Sequence, residues 1–329
     1  AFLLAFARAP VAGGPGRRAV GGAPGDRPAQ SGRPGAGPPG LDSQWPTPGC
    51  LPAGLVADAL SFVRAQPGFA PVRAADAPAY AAEAARLSAA HRAPFDAGQL
   101  VALRRLEVSQ AIQRAGTRAQ RFGAQLAAET RQGRRLLALA ATYRLPPLSV
   151  ARQRLVEEGL DVGAVRAALR DPSRLPPGLG QLAAELPAAL EADQGSPQNE
   201  RQIREASQAF EDAVGAELRR RGFAFRTEAE LRAAPGGADL TPDFLLTAPA
   251  AINGRPVAWL DAKNQPAVDH PIVRKGLKRA AERYTARFGP GAFVFNGGVL
   301  CAPPPLFAGV LLLDGAHLAP GVNLPADPA

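Results

Sequence analysis

Asn253-Gly254 is the feature that most restricts this chain. Both residues accept positive φ at little cost, which makes Asn-Gly the strongest short signal for a two-residue hairpin turn. Apolar segments flank it, TPDFLL (241–246) on one side and VAWLDAK (257–263) on the other. A hairpin here commits the surrounding chain to a sheet. It also poses a problem, because the two segments carry acids, Asp243 and Asp261, and Lys263 follows the second. Side chains alternate faces along a strand, so Asp261 and Lys263 share one face while Leu260 and Ala262 take the other. With the turn centred on Asn253 and Gly254, Asp243 falls opposite Asn264, within a residue or two of Asp261 and Lys263.

Like charges in an apolar hairpin disfavour burial and raise each other's pKa. A divalent cation reverses that logic, since it requires ionised oxygens. The bland alternative is that Asp243 merely begins a strand while Asp261 and Lys263 form an ion pair at an edge. The choice of lysine argues for the site: the chain has 35 Arg but 3 Lys, and one of the three is here. Cys50 and Cys301 cannot build a disulfide framework or a zinc site, and a reducing compartment follows. His91, His270 and His317 show no ligand spacing. Carboxylates must therefore supply the ligands of any metal, which favours Mg²⁺ or Mn²⁺.

The neighbouring segments extend the frame. ERQIREASQAFEDAVGAELRRRG reads as an amphipathic helix ending at Gly222, FAFRTEAEL as a strand, VRKGLKRAAERYTARFG as a helix stopping at Gly289, and AFVF and GVLLLDG as strands. The order α-β-β-β-α-β-β describes a small α/β domain over residues 200–320. Before it, residues 55–192 read as helices, with apolar residues three and four apart. Within them LLALAATY, a break at RLPP and SVARQRLVEEG outline a helix-turn-helix. Arg134, Arg135, Arg144, Arg152 and Arg154 are its candidate nucleic-acid contacts. Residues 1–54 are a Gly/Pro/Arg-rich tail with no hydrophobic period, expected to be disordered. The polar stretch EADQGSPQN marks the expected boundary between the two halves.

The formal net charge is +9, and between Val101 and Arg170 thirteen Arg face five acids. A concentrated basic surface points to a polyanion, DNA before RNA. A coding bias toward arginine is the alternative. No stretch is long enough for a transmembrane helix, and no membrane partner is expected. The chain contains no Met, so AFLLAFARA is read as an incomplete start rather than an export signal.

The acid, acid-x-lysine order on strands two and three resembles the PD-(D/E)xK nuclease superfamily, here in Pro242-Asp243 and Asp261-Ala262-Lys263. Three stretches are more closely similar to the codanin-interacting nuclease family: TPDFLL, PAAINGRPVAWLDAK and RFGPG (287–291). Phe210-Glu211 matches a Glu on that family's leading helix, and LALAATYRLPPLSVAR its helix-turn-helix region. The resemblance covers roughly residues 134–314. It implies an α+β chain with an N-terminal helical region and a C-terminal restriction-endonuclease-like αβββαβ domain. It also implies metal ligation by Asp243 and Asp261 with Glu211 assisting, an attacking water oriented by Lys263, phosphodiester hydrolysis, a codanin-like partner, and residence in the nucleus with the cytoplasm as a second location. Four positions depart from the pattern. Asp261 stands where Glu is commoner, Ala262 replaces a serine, and AFVFNGG is plainer than the usual aromatic strand. Ala280 occupies the place of a glutamine one turn before the tyrosine matched by Tyr284. Two other readings stay open: a nuclease-fold scaffold that binds a codanin-like protein with little or no catalysis, and a helix-turn-helix DNA-binding protein whose C-terminal domain only dimerises.

Overall fold

The 3.6-residue apolar period after residue 53 is realised as a succession of helices. The computed structural model describes residues 41–46, 49–234, 236, 239–300 and 309–318. Its helices are α1 (Ala53–Ala65), α2 (Ala77–His91), α3 (Ala97–Arg121), α4 (Gly123–Arg131), α5 (Leu136–Tyr143), α6 (Pro147–Glu157), α7 (Val162–Arg170) and α8 (Gly180–Glu191). The second half follows as α9 (Pro197–Arg220), α10 (Glu228–Ala233) and α11 (Pro271–Phe288). The strands are β1 (Leu41–Ser43), β2 (Phe225–Thr227), β3 (Phe244–Ile252), β4 (Arg255–Lys263), β5 (Gly291–Phe295) and β6 (Val310–Asp314). The chain is therefore mixed α+β, with a helical N-terminal region and a C-terminal sheet.

The strands form one mixed sheet in the order β1-β3-β4-β5-β6, with β2 also pairing to β3. The hairpin β3–β4 is antiparallel, and α11 is the crossover that makes β5 parallel to β4. The turn is where the sequence puts it, with Asn253 at φ 53° and Gly254 at φ 72°. The register near the turn pairs Ile252 with Arg255 and Ala250 with Val257, but it then shifts, and Leu245 pairs with Trp259 and Phe244 with Leu260. Four residues of β3 thus oppose one of β4. Pro249, which lacks an N–H, lies in this irregular stretch, the place where a strand tolerates proline. The shift corrects the sequence expectation: Asp243 stands opposite Asp261, not Asn264.

Two further expectations change. The tail lies outside the described residues up to residue 40, but Leu41–Ser43 pairs in parallel with residues 250–252. Trp45 is buried there and its indole Nε1 donates to the Asp314 carbonyl at 2.7 Å. One tryptophan anchors a segment whose Gly/Pro composition conceals it. FAFRTEAEL is a strand only over Phe225–Thr227. Thr227 and Glu230 then close a capping box, each side chain bonding the other's backbone N–H, and α10 begins.

The helical half does not form one unit. Leu55, Leu87, Leu100 and Leu103 of α1–α3 share a core with Trp259, Phe293 and Phe295 of the sheet and Val273, Leu277 and Ala281 of α11. The opposite sheet face, through Leu260, Ala292 and Val294, packs on Phe210, Val214 and Leu218 of α9. Helices α4–α8 enclose a separate core with the end of α3. The first three helices cover a sheet face that would otherwise be exposed. The polar boundary stretch is largely internal: Asp193, Gln194 and Ser196 are buried, and Asp193 accepts from the Leu148 N–H at the start of α6 at 2.9 Å.

The arginines of residues 101–170 serve different ends. Arg104 is buried and donates to the carbonyls of Val63, Gln66, Pro67 and Gly68 at 2.9–3.1 Å, closing the C-terminal end of α1. Helix ends leave their last carbonyls without partners; Val63 is one of these, and Gln66, Pro67 and Gly68 belong to the turn that follows. Arg104→Met is expected to lower stability by about 3 kcal/mol, since hydrogen bonds to a charged group are worth ~1.5–3 kcal/mol and the orphaned acceptors add to the loss. A urea midpoint unchanged from wild type would contradict this role.

Candidate active site

The site is built where β3 begins and β4 ends. Ala262 N–H donates to Asp243 Oδ2 at 2.7 Å, which fixes that carboxylate across the hairpin. Lys263 Nζ donates to Asp261 Oδ1 at 2.7 Å; the Asp261 side chain is 4% exposed and that of Lys263 25%. The ammonium also lies 5.6 Å from the centre of the Phe293 ring. Burial, then the charge of Asp261 and a side-chain hydrogen bond with it, push the Asp243 pKa well above the usual aspartate value. Burial alone would lower the Lys263 pKa, yet Asp261, Asp243 and Glu211 outweigh it and hold it above that of an ordinary lysine. Two acids therefore compete for one small space, and one lysine partly neutralises them.

Glu211 reaches this region from α9, next to the fully buried Phe210. It lines a cavity of about 490 Å³ with Gln208, Asp212, Arg219, Glu228 and Phe244. Burial first, then Glu228, Asp212 and Asp261, raise its pKa. Among the described residues no three His, Cys, Asp or Glu side chains gather closely enough to form a metal-binding group. Asp243 and Asp261 are a close pair, and Glu211 lies near enough for its charge to help raise the Asp243 pKa. Such a pair suits a hard cation: Mg²⁺ commonly takes one or two carboxylates, keeps several waters and binds phosphate oxygens.

Sequence reasoning missed the supports of this pair. Thr241 Oγ1 donates to Glu228 Oε1 at 3.0 Å, and the Glu228 N–H donates to the Asp243 carbonyl at 3.1 Å. Tyr284 of α11 donates its hydroxyl to the Thr241 carbonyl at 3.1 Å. The threonine of the TPD triplet thus ties α10 to β3, while its carbonyl ties β3 to α11. The capping pattern Thr227-x-x-Glu230 could have revealed α10 and, with it, Glu228. Asn264 serves a different network, donating to Ser207 Oγ at 3.3 Å and accepting from Asn296 Nδ2 at 2.8 Å.

In the stretch expected to form a helix-turn-helix, α5 and α6 are separated by a break at residues 144–146. Arg134, Arg135, Arg144 and Arg152 are exposed. Arg134 is paired with Glu129. Arg144 takes φ 51° at the C-cap of α5, where Arg118 donates to its carbonyl. Arg154 departs from expectation: it is buried, donating to the Ala127 carbonyl at 3.3 Å and pairing with Glu158 at 2.5 Å. It joins α4 to α6 and is not a surface cation.

Because folding holds a proton on Asp243 that the unfolded chain releases, its contribution to stability falls as pH rises above the usual aspartate range. Asp243→Asn keeps an acceptor for Ala262 N–H and removes the repulsion. In EDTA at pH 7 the variant is expected to melt several degrees above wild type, with the gap closing toward pH 4. A variant that melts at or below wild type across this range would overturn the repulsion.

These features define a mixed α+β protein with a buried aspartate, a half-buried one and a lysine at one end of its sheet. Residues 179–302 match the family model described as a protein of unknown function with a TPD sequence motif. The chain carries this TPD-motif domain. Over 121 residues it is 34% identical to an uncharacterized protein of Acanthamoeba polyphaga mimivirus, covering 36% of this chain and 43% of the relative. Over 109 residues it is 34% identical to the CDAN1-interacting nuclease 1 of Danio rerio, covering 32% and 34%. The resemblance to the codanin-interacting nuclease family is borne out over that segment. The chain spans less than half the length of each of these relatives. No solved structure matches it. Among the described residues no helix is long and apolar enough to cross a membrane.

Proposed function

We propose that this protein is a metal-dependent nuclease of the PD-(D/E)xK type, hydrolysing phosphodiester bonds in DNA and acting with a codanin-like partner. The observation that carries the reading is the bulge in β3, which brings Asp243 opposite Asp261 beside Lys263. Two aspartates side by side in a hairpin, one of them fully buried, are costly to fold, and a phosphodiester site gives them a use. In this reading residues 197–314 form the restriction-endonuclease-like core.

Asp243 and Asp261 would hold Mg²⁺ or Mn²⁺, which when bound supplies Lewis-acid stabilisation and a water of lowered pKa. Lys263, protonated throughout the neutral range, offers a compact positive charge to a phosphate oxygen and orients the attacking water. Asp261 holds that ammonium in place. Glu211, its pKa raised by burial and by neighbouring acids, would assist the two aspartates from α9. The hydrogen bonds of Thr241, Glu228 and Tyr284 keep the hairpin end from spreading, and catalysis of this kind depends on such positioning. The exposed arginines Arg134, Arg135, Arg144 and Arg152 would add contacts to the phosphate backbone.

A scaffold that binds a codanin-like protein with little catalysis is the second reading, favoured by Ala280 in the place of the expected glutamine. Calorimetric titration with Mn²⁺ separates the two. The nuclease reading predicts binding to wild type that is lost when Asp243 and Asp261 are both replaced by asparagine. No binding by wild type, with affinity for a codanin-like protein intact, would select the scaffold.

A further inference from the structure

Helix α11 carries Arg274, Lys275, Lys278, Arg279, Arg283 and Arg287 against a single acid, Glu282, and all six cations are exposed. Two of the chain's three lysines are among them. Arg274 pairs with Asp269, and Lys278 with Glu282 at 3.8 Å. Lys275, Arg279 and Arg283 form no ion pair or hydrogen bond among the described residues. Like charges four apart destabilise a helix, and 274/278, 275/279, 279/283 and 283/287 are four such pairs. The packing of α11 does not call for them, since Val273, Leu277 and Ala281 supply its buried face. A fold that accepts repulsion along one exposed row is shaped for a ligand that relieves it.

The place of the row identifies the ligand. An i, i+4 row advances about 6 Å and turns about 40° per step. Lys275, Arg279, Arg283 and Arg287 therefore wind from the solvent side of α11 to the flank of Tyr284. The Tyr284 hydroxyl is bonded to the Thr241 carbonyl, two residues before Asp243. The helix-turn-helix offers a poorer track, with Arg154 buried, Arg134 paired to Glu129 and Arg118 spent on carbonyls.

We propose that the α11 ridge is the principal nucleic-acid surface of the protein, with Lys275, Arg279 and Arg283 neutralising successive phosphates of a strand that leads to the Asp243–Asp261–Lys263 site. Where the strand leads rests on the nuclease reading; the ridge itself does not. The test uses the full chain, a labelled single-stranded DNA and its duplex, EDTA to prevent cleavage, and a series of salt concentrations. The triple variant K275Q/R279Q/R283Q replaces exposed cations with a residue of good helix propensity, and unchanged circular dichroism confirms its fold. It is expected to bind more than tenfold more weakly at ~0.1 M salt and to flatten the slope of log K against log salt by about two to three. R134Q/R135Q/R152Q is expected to change the slope by less than about one unit. A slope unchanged in the α11 variant, or wild type that binds no DNA, overturns the proposal. So does loss of polyglutamate binding with DNA affinity kept, which assigns the ridge to an acidic polypeptide. Absence of Mg²⁺-dependent cleavage while the slope still falls would sink the nuclease reading and leave the ridge standing.

Discussion

Gly291→Ala is expected to cost about 3 kcal/mol or more and to move the site even where the chain still folds. A Cβ on residue 291 would lie 2.1–2.5 Å from three atoms of the Trp259 indole ring, a contact that neither a fully buried tryptophan nor a backbone atom can relieve. The same indole donates Nε1–H to the Gly289 carbonyl at 2.9 Å, and the Ala258 N–H donates to the Pro290 carbonyl at 2.7 Å. The RFGPG turn is thus moulded onto the tryptophan of WLDAK, two residues before Asp261. Gly116→Ala is the control. It sits within α3 with nothing within 4 Å of the added methyl, and the change should stabilise by about 0.5–1 kcal/mol. Urea denaturation reads both, and a Gly291→Ala midpoint equal to wild type would sink the close contact.

Lys263→Ala is expected to slow DNA cleavage by about 10²–10³-fold, the loss typical when one preorganised charge is taken from a transition state. The ground-state affinity for DNA should change little, because one partly buried ammonium adds little to a basic surface. Lys263→Arg is not expected to rescue activity. The ammonium sits within 2.7 Å of Asp261 and 5.6 Å from the centre of the Phe293 ring, a space made for a point charge and not for a planar fork. A variant that cuts at the wild-type rate, or that loses binding and cleavage in equal measure, would remove Lys263 from the chemistry.

The hairpin, its turn and its three charged residues were legible because each rests on local rules: positive φ at Asn-Gly, alternation along strands, rarity of lysine. The bulge was not, because the register of β3 answers to tertiary pairing, with β1 and β2 as well as with β4. It was the bulge that moved Asp243 from Asn264 to Asp261. Glu228 was hidden by a strand reading of FAFRTEAEL, in which the capping box outweighed the aromatic residues. Composition misled twice. Arg104 and Arg154 counted toward a basic surface but are buried partners of backbone carbonyls, and Trp45 pins a segment that reads as tail. The division of the helical half was also out of reach, since an apolar stripe does not name the surface that covers it.

The central claim is that the β3–β4 hairpin assembles a metal-dependent phosphodiesterase site, and cleavage of labelled DNA tests it most directly. Purified wild type, Asp243→Asn and Lys263→Ala are incubated with single-stranded and duplex DNA in Mg²⁺ or in EDTA. Cleavage by wild type in Mg²⁺ that disappears in EDTA and in both variants is the predicted result. Cleavage that persists in the variants, or a wild type that binds DNA and Mn²⁺ yet never cuts, would contradict it.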